Sequence, residues 1–479
     1  MSSPSTLATG PVTVTATVPG DKSIAIRALL LALLADGRSC IDNVPDSRIS
    51  DITISALRTL GADVTVTRVA PGRAVDSGSL TVVVAPPSRL TQQTTIDCGG
   101  SATLVRLLMG LLAGAGVDAV LTGSVMLSRR PMGRVTEPLR VLFGRHVVVA
   151  TDGHLPVLLQ RGAGPQADCV ITPGDSAQVR AAIMLAAVAA AVPVTLWSSH
   201  PGRRHTEQLL SRLGCGVVDD DVDVDSGRAR RTRLLPVPVV GFSVTVPADP
   251  SAAAFLQALS ATGSTGAALR IEHLVIDAER RGFIDVMARM GARVDIDNVI
   301  AAHGLRTATV TTGAGLLAGV DVSAREVPDL VDEVPILAAL CTRGMAPSTL
   351  RGLAELRVKE SDRLARIIDL LQAFGATAAM INDDSLQVMP GPARRPDRII
   401  QTDHDHRIAM TAAVLAGMQQ GSEDVSDDIS DDISDDNSDD NSEAVVLDDP
   451  DCADESWPGF VAQLAAVRAA LMDPPTSPR

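Results

Sequence analysis

The chain has 479 residues, of which 46% are hydrophobic and 21% are charged, a balance typical of a globular protein of two or three domains. This composition excludes disorder over the whole chain, and 38 Gly without a three-residue period exclude a collagen-like fibre. Aromatic residues make up only 2% and Tyr is absent, which disfavours the stacking platforms that bind single-stranded nucleic acid.

The negative charge is concentrated in one segment. The formal net charge is −15, and residues 423–443 hold eleven acids and no base, so the rest carries about −4 (−15 + 11). This balance excludes a basic field for nucleic acid or anionic lipid. The amino terminus shows no signal-peptide pattern, and the six Cys lack metal-ligand spacing. We expect a cytoplasmic monomer that binds small molecules, without nucleic acid or membrane partners.

In chain order, six segments begin with a turn of Gly, Asp, Ser or Pro and continue as a helix rich in Ala and Leu, with starts near 21, 100, 175, 250, 332 and 405. Ser and Asp are favourable N-caps. Between these segments, amphipathic stretches end in Gly before β-branched runs, at Gly61, Gly144, Gly214, Gly291 and Gly375. The pattern predicts a unit of strand, buried helix, strand, outer helix and two strands, repeated six times.

Three other segments carry their own structural predictions. Residues 181–197 form an apolar run that Pro193 interrupts, which predicts a buried helix and a strand rather than a membrane span. The stretch DDDVDVDSGRARRTR predicts an exposed hairpin or loop before the midpoint near 235–241. Residues 422–443 predict a disordered acidic insertion. A calcium site is the alternative there, although the run lacks the EF-hand Gly.

The rarity of lysine indicates that the two lysines present have a chemical role. Of 42 basic residues, only Lys22 and Lys359 are lysines, and both lie in distinctive segments, VPGDKSIAIR and LRVKESDRL. A retained Lys supplies a compact ammonium whose pKa can shift. The alternative is chance placement on the surface.

Six groups of motifs resemble, in order, the 5-enolpyruvylshikimate-3-phosphate (EPSP) synthase family: VPGDKSIAIRALLLALL, DCGGSATLVRLL, SRRPMGR, GDSAQVR with RRHTEQLL, VPDLVDEVPILAAL with RVKESDRL, and TDHDHRIAM. A sister family carries a Cys in the loop that reads VMLSRRPMGR here, so the chain is more similar to the shikimate branch. The resemblance implies an α/β (α+β) fold, a two-domain inside-out α/β barrel of six βαβαββ units. We expect one lobe at 18–240 and a second at 1–17 plus 241–479.

The resemblance also implies an activity, the transfer of the enolpyruvyl group of phosphoenolpyruvate (PEP) to a hydroxyl of shikimate 3-phosphate, with release of phosphate and without metal or cofactor. The residues implied for PEP are Lys22, Arg130, Gln178, Arg363 and Arg407. The residues implied for the acceptor are Ser23, Arg27, Ser176, Ala177, Gln178, Arg203, Asp332 and Lys359.

The implied catalytic residues are Lys22, Asp332 and Glu360. Glu360 would act as acid and base at C3 of PEP, Asp332 would hold or deprotonate the acceptor hydroxyl, and Lys22 would offset developing negative charge. Structural alternatives stand beside these roles. Glu360 could form a helical ion pair with Arg363, and Asp332 could be a simple N-cap.

Four departures from the family pattern leave the acceptor open. Gly100 replaces an Asn, Ala102 a Gly, Gly202 a phosphate-binding Ser, and Glu455 a Lys that contacts PEP in many members. Ala102 would crowd the PEP pocket, a change associated in the family with insensitivity to glyphosate. One alternative function is therefore a pathway-specific transferase with another phosphorylated acceptor, such as uridine monophosphate in nucleoside-antibiotic biosynthesis. Another is a non-catalytic paralogue that binds an anionic metabolite.

Overall fold

The protein is described from a computed structural model. The structure describes residues 12–144, 148–162, 169–172, 176–199, 202–224, 227–391, 394–396, 398–418 and 445–473. The predicted acidic insertion at 422–443 lies outside the described residues. Within them, no helix is both long and apolar enough to cross a membrane.

Buried and outer helices alternate along the described chain. The buried ones carry Ala, Leu and Gly on all sides, whereas the outer ones are mostly amphipathic. The helices are α1 (Lys22–Leu33), α2 (Arg48–Thr59), α3 (Ala102–Ala115), α4 (Val125–Ser128), α5 (Gly133–Phe143), α6 (Ala177–Ala190), α7 (His205–Arg212), α8 (Pro250–Ala261), α9 (Gly282–Met290), α10 (Val334–Cys341), α11 (Arg363–Ala373), α12 (His406–Gly417) and α13 (Phe460–Met472).

The strands form five four-stranded sheets in the described residues, in the orders β13-β2-β4-β3, β5-β6-β8-β7, β11-β12-β10-β9, β1-β14-β16-β15 and β17-β18-β20-β19. The strands are β1 (Thr13–Thr15), β2 (Ser39–Pro45), β3 (Asp63–Val69), β4 (Ser79–Ala85), β5 (Thr94–Asp97), β6 (Ala119–Thr122), β7 (Val148–Thr151), β8 (His154–Leu159), β9 (Cys169–Ile171), β10 (Val194–Ser198), β11 (Gly216–Val224), β12 (Gly227–Leu235), β13 (Ser243–Thr245), β14 (Ala268–Val275), β15 (Arg293–Ala302), β16 (Leu305–Gly313), β17 (Asp321–Val322), β18 (Ser348–Leu350), β19 (Ala378–Asn382) and β20 (Ser385–Val388).

The predicted unit is visible in β5-α3-β6-α5-β7-β8. The strands β5 and β6 are parallel, because α3 crosses between them, and β7 and β8 form an antiparallel hairpin. The units from β9 to β12 and from β17 to β20 follow the same order. The predicted glycines come after the outer helices with positive φ, +92° at Gly144 and +109° at Gly291. The acidic-then-basic stretch forms the predicted hairpin, β11 with β12.

Two units exchange their first strands. The strand β1 pairs with β14 from the second half of the chain, and β13 pairs with β2 from the first half. The chain therefore crosses twice between its halves, between β1 and α1 and between β13 and α8. Sheet pairing assigns Ser243–Thr245 to the first half, slightly beyond the boundary expected after residue 240. The division into lobes at 18–240 and 1–17 plus 241–479 stays a prediction.

The sixth unit is reduced. Its described residues provide a parallel bridge between Ile400 and Leu447, with α12 between them in the chain, and then α13. The chain is described to Asp473 without the hairpin that closes the other units. The sixth buried helix is thus present as predicted, but the described residues of its sheet form a single bridge.

Each half buries three of the Ala- and Leu-rich helices. One hydrophobic cluster includes α1, α3 and α6, and a second includes α8, α10 and α12. The pair α3 and α6 is in backbone contact, since a Cβ on Gly110 would lie 1.9 Å from the Ala182 carbonyl oxygen and one on Gly114 would lie 2.2 Å from that of Ala186. Small residues therefore set this helix spacing.

Candidate active site

The starts of the buried helices from both halves meet at one cleft. Asp21 and Asp249 accept hydrogen bonds from the first turns of α1 and α8, and Asp405 accepts one from the Arg407 amide at the start of α12. Free N–H groups and the positive end of the helix dipole attract anions at such ends. The cleft is therefore suited to anionic ligands.

Asp332 lies at the centre of a cationic cluster. Its carboxylate is 2.7 Å from Arg203 Nη1, 3.7 Å from Lys359 Nζ and 3.8 Å from Arg363 Nη1, and its carbonyl oxygen accepts a hydrogen bond of 2.9 Å from Arg407. Burial opposes ionisation, but the surrounding cations outweigh it and lower the pKa of Asp332 well below its usual range. The residue before α10 that serves as N-cap is Glu333, so Asp332 is not the simple N-cap considered as an alternative.

Glu360, one residue after Lys359, is a second carboxylate that is surrounded by cations. Its carboxylate accepts a hydrogen bond from Arg363 and lies 3.5 Å from Arg130 Nη1. Burial opposes ionisation, yet the two guanidinium groups lower the pKa of Glu360. The ion pair with Arg363 is therefore present. Because Arg130 comes from the other half of the chain, Glu360 also connects the two halves across the cleft.

Lys22 is the first residue of α1 and faces the same cleft. Burial and the nearby Arg407 lower the pKa of its ammonium, while the carboxylates of Glu360, Asp249 and Asp332 act in the opposite direction. A lysine in this setting is more readily deprotonated than one at the surface. The surface placement considered from sequence does not apply to Lys22.

The first turns of α3 and α6 are joined by side chains. Gln178 donates to Thr103 Oγ1 at 3.0 Å and accepts a hydrogen bond from Arg106. Burial and the neighbouring Arg130 lower the pKa of Arg106 to about 10. Arg106 is not among the residues expected from the sequence, although an Arg within an otherwise apolar helix was a signal that could have identified it.

The remaining acceptor residues lie on α1 and at the start of α6. Arg27 is 3% exposed and donates to Thr206 Oγ1 and to the Ser23 carbonyl oxygen, both at 2.8 Å. Ser176 is the N-cap of α6 without a side-chain capping bond, and Ala177 is the first residue of that helix. Both are half-buried.

A cavity of about 920 Å³ lies beside Arg130 and Glu360. Two of the departures from the family pattern meet in its wall, because a Cβ on Gly100 would be 3.0 Å from Glu455 Oε1. Burial raises the pKa of Glu455, and Lys22 opposes this effect. The absence of a side chain at position 100 thus leaves room for the Glu455 carboxylate. Ala102 is the first residue of α3, and Gly202 has a φ of +54°.

Three further charged or titratable residues were missed from the sequence. His205 is 2% exposed and His406 is 6% exposed, and burial lowers the pKa of each to about 3, so both are neutral at pH 7. Arg280 is 4% exposed and contacts Asp21 and Asp249. Its position in a 3₁₀ turn at Ala278–Arg280 gave no motif by which to recognise it.

Together, the site contains two ionised carboxylates within a larger set of cations from both halves. Such a site can bind two anionic ligands side by side and can move protons between them. In the part of the chain that the structure describes, no group of three or more His, Cys, Asp or Glu could hold a metal ion.

Comparison with known proteins gives consistent names. A family model described as EPSP synthase (3-phosphoshikimate 1-carboxyvinyltransferase) matches residues 7–464. The 3-phosphoshikimate 1-carboxyvinyltransferase of Acidiphilium cryptum is 35% identical over 463 residues, which cover 96% of each chain. The protein of the same name from Anaeromyxobacter sp. strain Fw109-5 is 34% identical over 458 residues, 95% of this chain and 96% of the relative.

Solved structures agree on the fold. The EPSP synthase from Acinetobacter baumannii superposes with a TM-score of 0.72 at 25% identity, covering 95% of this chain and 96% of that one. The enolpyruvyl transferase NikO from Streptomyces tendae superposes with a TM-score of 0.63 at 18% identity, covering 96% and 95%. At that identity the second similarity concerns the fold alone. The two-domain inside-out α/β fold expected from the motifs is confirmed.

Proposed function

The chain belongs to the EPSP synthase (3-phosphoshikimate 1-carboxyvinyltransferase) family, and from this premise we propose that it transfers the enolpyruvyl group of PEP to a hydroxyl of shikimate 3-phosphate and releases phosphate. One observation carries the proposal. Asp332 and Glu360 lie in a single charged cleft with both lysines of the chain and with arginines from both halves.

PEP and the acceptor divide the cations between them. The phosphate and carboxylate of PEP bind Arg130, Arg363 and Arg407, whose planar guanidinium groups suit bidentate contacts. The phosphate of the acceptor binds Ser176, Arg203 and Lys359. The acceptor carboxylate binds Ser23 and Arg27, and its ring lies against Ala177 and Gln178.

Glu360 carries the proton at C3 of PEP. In the free protein Arg130 and Arg363 keep this carboxylate ionised. An anion bound to the same guanidinium groups shares their charge, so the pKa of Glu360 rises toward the range in which it can give and take a proton. Proton delivery to C3 accompanies addition, and removal of a C3 proton accompanies elimination of phosphate.

Asp332 orients the acceptor hydroxyl and accepts its proton. Its cations Arg203 and Lys359 are those that meet the acceptor phosphate, so acceptor binding makes Asp332 a stronger base by the same argument. Lys22 interacts with the carboxylates of both Glu360 and Asp332. Its ammonium offsets negative charge on the oxygens that react. No step requires a metal or a cofactor.

The test is phosphate release from PEP with alternative acceptors. We expect turnover with shikimate 3-phosphate, an enolpyruvyl ether as the product in NMR spectra, and no turnover with uridine monophosphate. Turnover with uridine monophosphate alone would replace the proposed acceptor, and PEP binding without turnover of either would favour an anion-binding paralogue. We further propose that the enzyme is a cytoplasmic monomer, which sedimentation at assay concentrations and cell fractionation test.

A further inference from the structure

The two segments that cross between the halves are joined to each other. They run antiparallel and form a bridge between Gly20 and Ala248. The amide of Asp21 donates to the Pro247 carbonyl at 2.8 Å, and the amide of Asp249 donates to the Pro19 carbonyl at 3.0 Å. The crossings therefore form one short ribbon between the two halves of the chain.

Each crossing ends in an Asp that begins a buried helix. Asp21 accepts from the Ile24 amide at 2.9 Å, and Asp249 accepts from the Ser251 amide at 2.8 Å. Arg280 bonds to both carboxylates through Nη2, at 3.0 Å to Asp21 and 2.7 Å to Asp249. One buried guanidinium thus joins the starts of α1 and α8.

The same guanidinium reaches the start of a third helix. Arg280 Nη1 donates to Ser251 Oγ at 3.3 Å and lies 3.9 Å from Glu333 Oε1, and the Ser251 hydroxyl donates to Glu333. Glu333 directly follows Asp332 in the chain. Asp21 directly precedes Lys22. Arg280 therefore lies against the chain neighbours of two residues that face the cleft, Lys22 and Asp332.

Arg280 supplies positive charge to three acids that lie together at these helix starts. Asp21 is 1% exposed, Glu333 is 2% exposed, and the Asp249 carboxylate lies beside them, so three acids share a poorly hydrated volume. Burial and the Asp21 carboxylate raise the pKa of Asp249, and Arg280 opposes that rise. Without the guanidinium, these carboxylates repel one another and the helix starts separate.

We propose that Arg280 is a positioning residue, which fixes Lys22 relative to Asp332 by clamping both crossing segments and the start of α10. The inference rests on the proposed function for its link to turnover. Arg280 is 4% exposed, and its Nη1 and Nη2 atoms are bonded to Ser251, Asp21 and Asp249, so we expect it to act through the arrangement of the cleft.

The first test compares Arg280→Gln and Arg280→Lys with the neighbouring Arg281→Gln. Arg281 pairs with Asp285 on the outer helix α9 and is one-third exposed, which makes it a matched loss of charge outside the clamp. We expect kcat of Arg280→Gln to fall about 10-fold or more, because small misplacements of reacting groups are costly, with KM for PEP changed less than about threefold. Arg280→Lys should recover part of kcat, and Arg281→Gln should match the parent. A kcat for folded Arg280→Gln within about twofold of the parent would overturn the inference.

The second test does not depend on turnover. Because Lys22 and Lys359 are the only lysines, reductive ¹³C-methylation gives two lysine signals besides the amino terminus in NMR spectra. We expect Arg280→Gln, which adds no lysine, to move the Lys22 signal and to raise the Lys22 pKa, since the acids near it lose a competing cation. The Lys359 signal should stay in place, and Arg281→Gln should move neither.

The two tests separate the inference from the proposed function. A parent protein inactive on PEP and shikimate 3-phosphate would refute the function, and the Lys22 signal would still decide the role of Arg280. An unchanged Lys22 signal and pKa in folded Arg280→Gln would overturn the clamp even where the parent enzyme is active.

Discussion

Replacing Glu360 by Gln removes a charge and a proton carrier while keeping the shape of the side chain. Neither cation that contacts Glu360 is left buried without a partner by this change. Arg363 remains bonded to Asp405 at 2.8 Å, and Arg130 is partly exposed at the cleft. The fold should therefore survive the change. The loss should appear in the proton transfers at C3 of PEP.

The expected size of the loss follows from the role. General acid–base catalysis contributes about 10²–10⁴ in rate, or about 3–5 kcal/mol of barrier. The same substitution removes a negative charge that faces an anionic ligand, so PEP binding should stay equal or improve. We therefore expect kcat to fall about 10²-fold or more, with KM for PEP unchanged or lower.

The assay is steady-state phosphate release, with PEP affinity measured by calorimetry. The control is Glu272→Gln, which removes a half-exposed carboxylate on β14 that pairs with Arg270, two residues earlier on the same strand. It should leave both constants unchanged. A Glu360→Gln enzyme with kcat within about threefold of the parent would remove Glu360 from the mechanism.

Three other predictions concern stability. Because burial lowers the pKa of His205 and His406 to about 3 in the folded state, the unfolded chain binds more protons below pH 6.5. The free energy of unfolding should then fall by about 1.4 kcal/mol per pH unit for each His toward pH 3, and His205→Gln should reduce this slope in urea denaturation. Gly110→Ala places a Cβ against the Ala182 carbonyl oxygen and should cost about 3 kcal/mol or more. An equal denaturation midpoint would contradict that packing. Deleting residues 423–443 should leave activity and Tm nearly unchanged, and a large loss of either would show that the insertion packs or binds.

The local elements were predictable because their signals are local. A capping Asp or Ser, a run of Ala and Leu, and a Gly after the last turn predict the start and end of each helix. The acidic-then-basic stretch predicted an exposed hairpin or loop, and it forms the β11–β12 hairpin. The sixth unit has a helix start near 405 but none of the five Gly-terminated stretches that precede β-branched runs, so its missing hairpin also has a local signal, which the prediction of six equal units did not use.

The motifs also identified most groups that face the cleft, because residues that bind anions recur at the starts of the buried helices. Lys22, Asp332 and Glu360 stood out by residue type and by motif. Arg106 and His205 did not, although both lie within quoted motifs, because neither is marked there by its residue type. Arg280 did not, because its segment carries no motif. Their significance depends on which buried carboxylates and cations surround them.

The sequence by itself determined the repeated units, the six buried helices and the polyanion chemistry of their starts, since these follow from local caps, hydrophobic periodicity and residue type. The tertiary structure decided the strand exchange, which brings β1 to β14 and β13 to β2, and the clamp that Arg280 makes on both crossings. The strand pairings and the contact between Arg280 and Asp21 join residues more than two hundred positions apart, and no periodicity or spacing along a chain encodes which distant charges share a buried volume.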